Sequence, residues 1–142
     1  MPTGKSEILV GRRYLDRGFV DDAMRLFLRN VDDVEPPDWA NLAESLMERN
    51  RVPEVVRVCE AGSVPLPRSR LLLLGDDHLR RRHIDTAIHL YELADADRER
   101  WSRVLDTLLM LPERERQAIN VVERHLGGDD GEQAEPRLRV VK

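Results

Sequence analysis

Apolar residues recur along this chain at the three- and four-residue intervals of a single helix face, with polar residues filling the gaps. Ile8, Val10, Gly11, Tyr14 and Leu15 begin the series and predict a first helix of roughly 14 residues. A turn at Asp16-Arg17-Gly18 then leads into a second helix. Asp21 or Asp22 is well placed near its start, where a carboxylate meets free amides and the positive end of the helix dipole. The same helix-turn-helix alternation returns twice, with turns at Arg49-Asn50-Arg51 and Arg80-Arg81-Arg82.

These returns keep one period. Gly11, Ala43 and Gly75 are 32 residues apart, and so are Tyr14, Leu46 and His78, then Ala23, Val55 and Ala87, then Phe27, Cys59 and Tyr91. The spacing has a packing reason: a small residue lets two helices of a hairpin approach, and a large one fills the neighbouring layer. Three repeats are expected over about residues 4–35, 36–67 and 68–99, with a capping hairpin over 100–126. Together they predict one all-α domain, 4–126, followed by a flexible tail, 127–142.

In the second repeat, Trp39, Leu42, Ala43, Leu46, Val55, Cys59 and Pro67 follow one another in a pattern that resembles the tetratricopeptide repeat. The first repeat shows it as Val10, Gly11, Tyr14, Gly18, Ala23 and Phe27, with Pro36 one place late. The third carries Leu71, Leu74, Gly75, Ala87, Tyr91 and Ala94, but has His78 where the aromatic belongs and Glu99 where the proline belongs. The period of 32 also differs from the family's 34. The resemblance implies antiparallel hairpins stacked as a short right-handed α-solenoid whose first helices line a concave, partner-binding face. Carried over, those positions are Ile8, Arg12, Leu15 and Asp16, then Ala40, Glu44, Met47 and Glu48, then Leu72, Asp76, Leu79 and Arg80. Ile8, Leu15, Met47, Leu72 and Leu79 would form an apolar seam edged by Glu44, Asp76 and other acids, suited to a basic amphipathic helix or an extended peptide.

Beyond Glu99 the period weakens. Trp101, Val104, Leu105, Leu108 and Leu109 still predict a helix, and Pro112 suits the first turn of another. The last helix is expected to bury Ala118, Ile119, Val122 and Leu126, and to show Glu113, Arg116, Asn120, Glu123 and Arg124 to solvent before Gly127-Gly128 ends it. The closing Arg137-Leu138-Arg139-Val140-Val141-Lys142 is expected to be solvated with the rest of the tail, a short docking strand being the second reading.

Composition narrows function more than fold. With 27 acidic against 23 basic residues and a net charge of −4, the chain has no general basic field for phosphates, which ranks a helical-repeat RNA binder second to a protein-binding adaptor. The single cysteine, Cys59, excludes an internal disulfide and falls in a large apolar column, where an inert buried thiol is expected. No apolar run reaches the length of a signal or membrane segment, so the expected setting is the cytoplasm. The 21 arginines against 2 lysines hint at a GC-rich bacterial source.

Catalytic signatures are sparse. Gly4-Lys5-Ser6 echoes the end of a phosphate-binding loop without its first glycine or preceding strand. His78, His83, His89 and His125 contain no i, i+4 pair enclosing a glutamate, so no helical zinc motif is present. The Arg80-Arg81-Arg82-His83 run suits a solvated corner better than a grip on an acidic partner. The expectation is a non-enzymatic adaptor or scaffold, needing neither cofactor nor metal, with homo-oligomerisation as a variant.

Overall fold

The computed structural model describes residues 4–127, so the expected tail from Gly128 onward lies outside the described residues. Eight α-helices and no strand occur among the described residues: α1 (Gly4–Asp16), α2 (Val20–Arg29), α3 (Pro36–Glu48), α4 (Val52–Gly62), α5 (Arg68–Arg80), α6 (Ile84–Ala94), α7 (Arg98–Leu109) and α8 (Glu115–Val121). A 3₁₀ turn, Val31–Asp33, follows α2, and a π-helical turn, Val122–Leu126, extends α8. No helix among the described residues is long and apolar enough to cross a membrane.

The 32-residue period is written into the backbone. Gly4, Pro36 and Arg68 each open a first helix, and Val20, Val52 and Ile84 each open a second. Between them, Gly18, Asn50 and Arg82 take left-handed φ angles of 86°, 57° and 65° to close the hairpin turns. Only glycine adopts this conformation without crowding its own Cβ, so Gly18 suits its turn better than Arg82 suits the third. Ser63 and Asp95, again 32 apart, end α4 and α6 in the same left-handed region, at φ 51° in both. Local chemistry sharpens the helix starts. Pro36 and Pro37 lead α3 and Pro53 stands in the first turn of α4, where a missing N–H costs nothing. The Asp97 carboxylate caps α7 by accepting from the Arg100 backbone N–H at 3.2 Å.

The hairpin α7–α8 continues the repeat rather than departing from it. Its first helix starts 30 residues after that of α5, because only Asp95, Ala96 and Asp97 separate α6 from α7, against five residues between α4 and α5. Once this shortening is allowed for, Trp101 stands in the column of Trp39.

Two compact bodies divide between Arg68 and Ser69. In the N-terminal body α1 packs on α2 and α3 on α4, while α2 lies against α3 and α1 reaches α3. Its core is built on Phe27, Trp39, Leu42, Leu46, Val55 and Val58, each at most 2% exposed. A Cβ added to Gly11 would stand 2.6 Å from Cε1 of Phe27, so the glycine is what admits the ring. Phe27 in turn meets Trp39 edge to face, at 6.1 Å and 76°. Gly62 backs the indole of Trp39 closely enough that no side chain would fit.

The C-terminal body repeats this construction. A Cβ on Gly75 would also lie 2.6 Å from Cε1 of Tyr91, and Tyr91 meets Trp101 at 5.7 Å and again 76°. Where the first body sets Gly62 against its tryptophan, the second stacks His125 flat on Trp101, with centroids 3.5 Å apart. Helix α7 packs on α6, on α8 and on the π-helical turn.

Three sequence expectations change. Pro112 precedes the last helix instead of opening it, because Glu113 takes φ 61° and α8 begins only at Glu115. The buried face of that helix differs as well. Ala118 and Val121 are buried, whereas Ile119 and Val122 are 52% and 38% exposed, so the expected apolar stripe faces partly outward. Val10 is likewise exposed, because Ile8 and Gly11 take the face of α1 that meets its neighbours.

Candidate functional site

An open hollow lies in the N-terminal body, between α1 and α3. Arg12, Leu15 and Asp16 from α1 and Asp38, Asn41, Glu44 and Ser45 from α3 line a hollow of about 500 Å³. The spacings 12, 15, 16 and 38, 41, 45 are single helix faces, so two regular helices present these groups without loops.

One ion pair forms the floor of the hollow. Arg12 donates from Nε to Oδ1 and from Nη2 to Oδ2 of Asp38, both at 2.8 Å, the parallel fork in which a guanidinium matches a carboxylate. Asp38 also accepts from the Glu35 backbone N–H at 3.3 Å at the start of α3. The hydrogen bonds from Arg12 hold Asp38 below the usual carboxylate range against the opposing effect of burial, and the same bonds raise Arg12. Arg12 and Asp38 are therefore committed to each other. The lining as a whole carries three carboxylates, Asp16, Asp38 and Glu44, to one guanidinium.

A counterpart pair occurs in the C-terminal body with the charges exchanged. Arg100 donates from Nε and Nη2 to the two oxygens of Asp76, both at 2.9 Å, and its Nη1 reaches Asp97 at 2.7 Å. The Tyr91 hydroxyl adds a third hydrogen bond to Asp76, at 2.5 Å. Burial pushes Asp76 upward, but the hydrogen bonds from Arg100 and Tyr91 outweigh it and hold the carboxyl low. Tyr91 is driven well above its ordinary value by burial first and the adjacent carboxylate second.

Of the residues expected along a concave face, Arg12, Leu15, Asp16 and Glu44 come together in the hollow. Asp76 is bound into the pair with Arg100 and Tyr91. Ile8, Met47, Leu72 and Leu79 are 2%, 4%, 7% and 7% exposed, so the expected apolar seam is packed interior rather than open groove. The reason lies in their register: each stands three residues before or four after Gly11, Ala43 or Gly75, on the face that the small residue brings against a neighbouring helix. Ile8 keeps a small share of a smaller neighbouring hollow of about 300 Å³, with Lys5, Leu9, Arg12, Asp33 and Glu35.

Sequence reading missed Asp38, Asn41 and Ser45. A signal for Asp38 was present: Glu35-Pro36-Pro37-Asp38 puts a carboxylate in the first turn of a proline-led helix, where it serves both the helix end and a cation arriving from α1. Cys59 is buried, and burial raises its thiol, in keeping with an inert core position. Among the described residues no cluster of three or more histidine, cysteine or carboxylate groups is arranged to hold a metal ion. Set against known protein families, curated proteins and solved structures, the chain matches none.

Proposed function

We propose that this chain is a short scaffold of stacked helical hairpins, of the tetratricopeptide kind, that binds a segment of another protein and carries out no chemistry itself. The observation that carries this reading is the hollow between α1 and α3, where regular helices present an amide, a hydroxyl and carboxylates side by side. Arg12 spends its charge on Asp38, and the exposed Asp16 adds a further carboxylate to the lining. A partner segment rich in arginine or lysine, with backbone groups for Asn41 and Ser45, matches that chemistry. The same lining repels phosphate, which places single-stranded RNA behind a basic peptide.

The test is fluorescence anisotropy with labelled peptides graded from acidic to basic, run on the parent and on the Asp16→Lys variant. The expected result is preference for basic peptides by the parent and at least a tenfold loss in the variant, at unchanged helicity and melting temperature. Preference for acidic peptides, or binding untouched by the charge reversal, overturns the reading.

A further inference from the structure

The turn between α5 and α6 differs from the corresponding turn of the first hairpin in one chemical respect. In the first hairpin Tyr14, near the end of α1, meets Phe19, just before α2, edge to face at 6.1 Å. Sixty-four residues later both partners are histidine: His78 and His83 replace the two aromatic rings. The backbone is the same at both places. The Phe19 N–H donates to the Tyr14 carbonyl at 2.8 Å, and the His83 N–H donates to the His78 carbonyl at 2.9 Å. One scaffold therefore holds an apolar ring pair in one hairpin and an imidazole pair in another.

The two imidazoles meet through nitrogen. Nδ1 of His78 lies 3.1 Å from Nδ1 of His83, with the rings tilted at 44° and their centroids 5.4 Å apart. Metal–imidazole bonds of about 2.0–2.1 Å put two nitrogens of a tetrahedral shell about 3.3 Å apart, and two adjacent nitrogens of an octahedral or square shell about 2.9 Å apart. The observed separation falls between these values. Small rotations about the soft terminal torsions of the two side chains bring both lone pairs onto one ion.

We infer that His78 and His83 form a two-imidazole site for a late first-row divalent metal ion such as Ni²⁺ or Zn²⁺. The surroundings suit this. The Asp77 carboxylate accepts from Arg80 at 3.0 Å and pairs with Arg81 at 3.4 Å, and its negative charge offsets one of the three arginine charges of the turn. His83 is exposed and His78 half-buried, so an ion reaches the pair from solvent. No third histidine, cysteine or carboxylate joins them among the described residues, so water completes the shell and the affinity is that of a two-ligand chelate. On binding, the ring that donates through Nδ1 shifts its proton to Nε2, and both Nδ1 lone pairs go to the metal. No redox change occurs. A bound ion ties the end of α5 to the start of α6 and stiffens the turn that carries the arginine run.

The experiment is isothermal titration of the full chain with Ni²⁺, and separately Zn²⁺, at pH 7.5, beside His78→Ala, His83→Gln and His89→Ala. His89 is exposed on α6, outside the pair, and serves as the control. The expected result is one site in the parent and in His89→Ala, with affinity at least tenfold lower in His78→Ala and in His83→Gln. Absence of binding by the parent overturns the inference, as does an affinity that survives loss of His83, whose exposed side chain is replaceable without unfolding. Melting curves give a second readout: saturating Zn²⁺ raises the melting temperature of the parent and leaves His83→Gln unmoved.

Discussion

Arg100 grips Asp76 through two parallel hydrogen bonds of 2.9 Å, and it does so from the place in its helix where the first body keeps a carboxylate, Asp38. Gly11-Arg12 and Asp38-Trp39 on one side answer to Gly75-Asp76 and Arg100-Trp101 on the other. The fork, the glycine and the tryptophan are retained while the charges change ends. What this position requires is an ion pair between successive first helices, in either direction.

The two pairs should differ in strength. Side-chain exposure is 42% for Arg12 and 9% for Asp38, against 22% for Arg100 and 18% for Asp76, so water screens the first pair more. Arg100 also serves Asp97. Arg100→Ala is expected to cost about 2 kcal/mol and Arg12→Ala about 1 kcal/mol, read from urea unfolding. The reverse order would show that screening does not govern these pairs.

Replacing glycine by alanine within a helix ordinarily stabilises it, by up to about 1 kcal/mol. At Gly11 and Gly75 the sign should invert, because the new methyl group would stand 2.6 Å from a packed aromatic ring. A net loss of about 1–3 kcal/mol is expected for each, the usual cost of overpacking. Thermal melts decide it, and a gain at either position would mean that the ring moves aside freely.

Tyr91 is fully buried, whereas His89 two residues before it is exposed. Tyr91→Ala should cost about 3–5 kcal/mol, and His89→Ala well under 1 kcal/mol. Met47, only 4% exposed, belongs with the first kind of position. Met47→Glu is therefore expected to unfold or severely destabilise the chain, while Asp16→Lys, on exposed surface, leaves its melting temperature nearly unchanged.

The depressed carboxyls of Asp38 and Asp76 set an acid limb. Their pKa values are lower folded than unfolded, so the stability they supply is fully present above the unfolded value of about 3.9 and is lost as pH falls through the folded values below it. The melting temperature of the parent should drop steeply once the pH falls below about 4. The Asp38→Asn, Asp76→Asn double variant starts lower at neutral pH and falls along a shallower slope. Equal slopes would remove these two groups from the account of acid unfolding.

Helices, turns and period were legible in the sequence because they depend on neighbours three and four residues away. Gly11, Ala43 and Gly75 announced close helix approach, and the turns at Gly18, Asn50 and Arg82 fell where the columns put them. The fourth hairpin was harder to read, since two residues missing before α7 moved Trp101 out of register with Trp39. Which apolar face meets a partner and which meets the core was not legible. Ile8, Met47, Leu72 and Leu79 are apolar under either reading, and only the presence of packed neighbours settles that they are interior. Nor could spacing alone join Arg12 to Asp38, Asp76 to Arg100 or His78 to His83, because each pair lies across a turn or a whole hairpin. Sequence periodicity determined the repeating helices; tertiary packing decided which side chains were left open to solvent, because burial depends on what the chain brings back from far along its length.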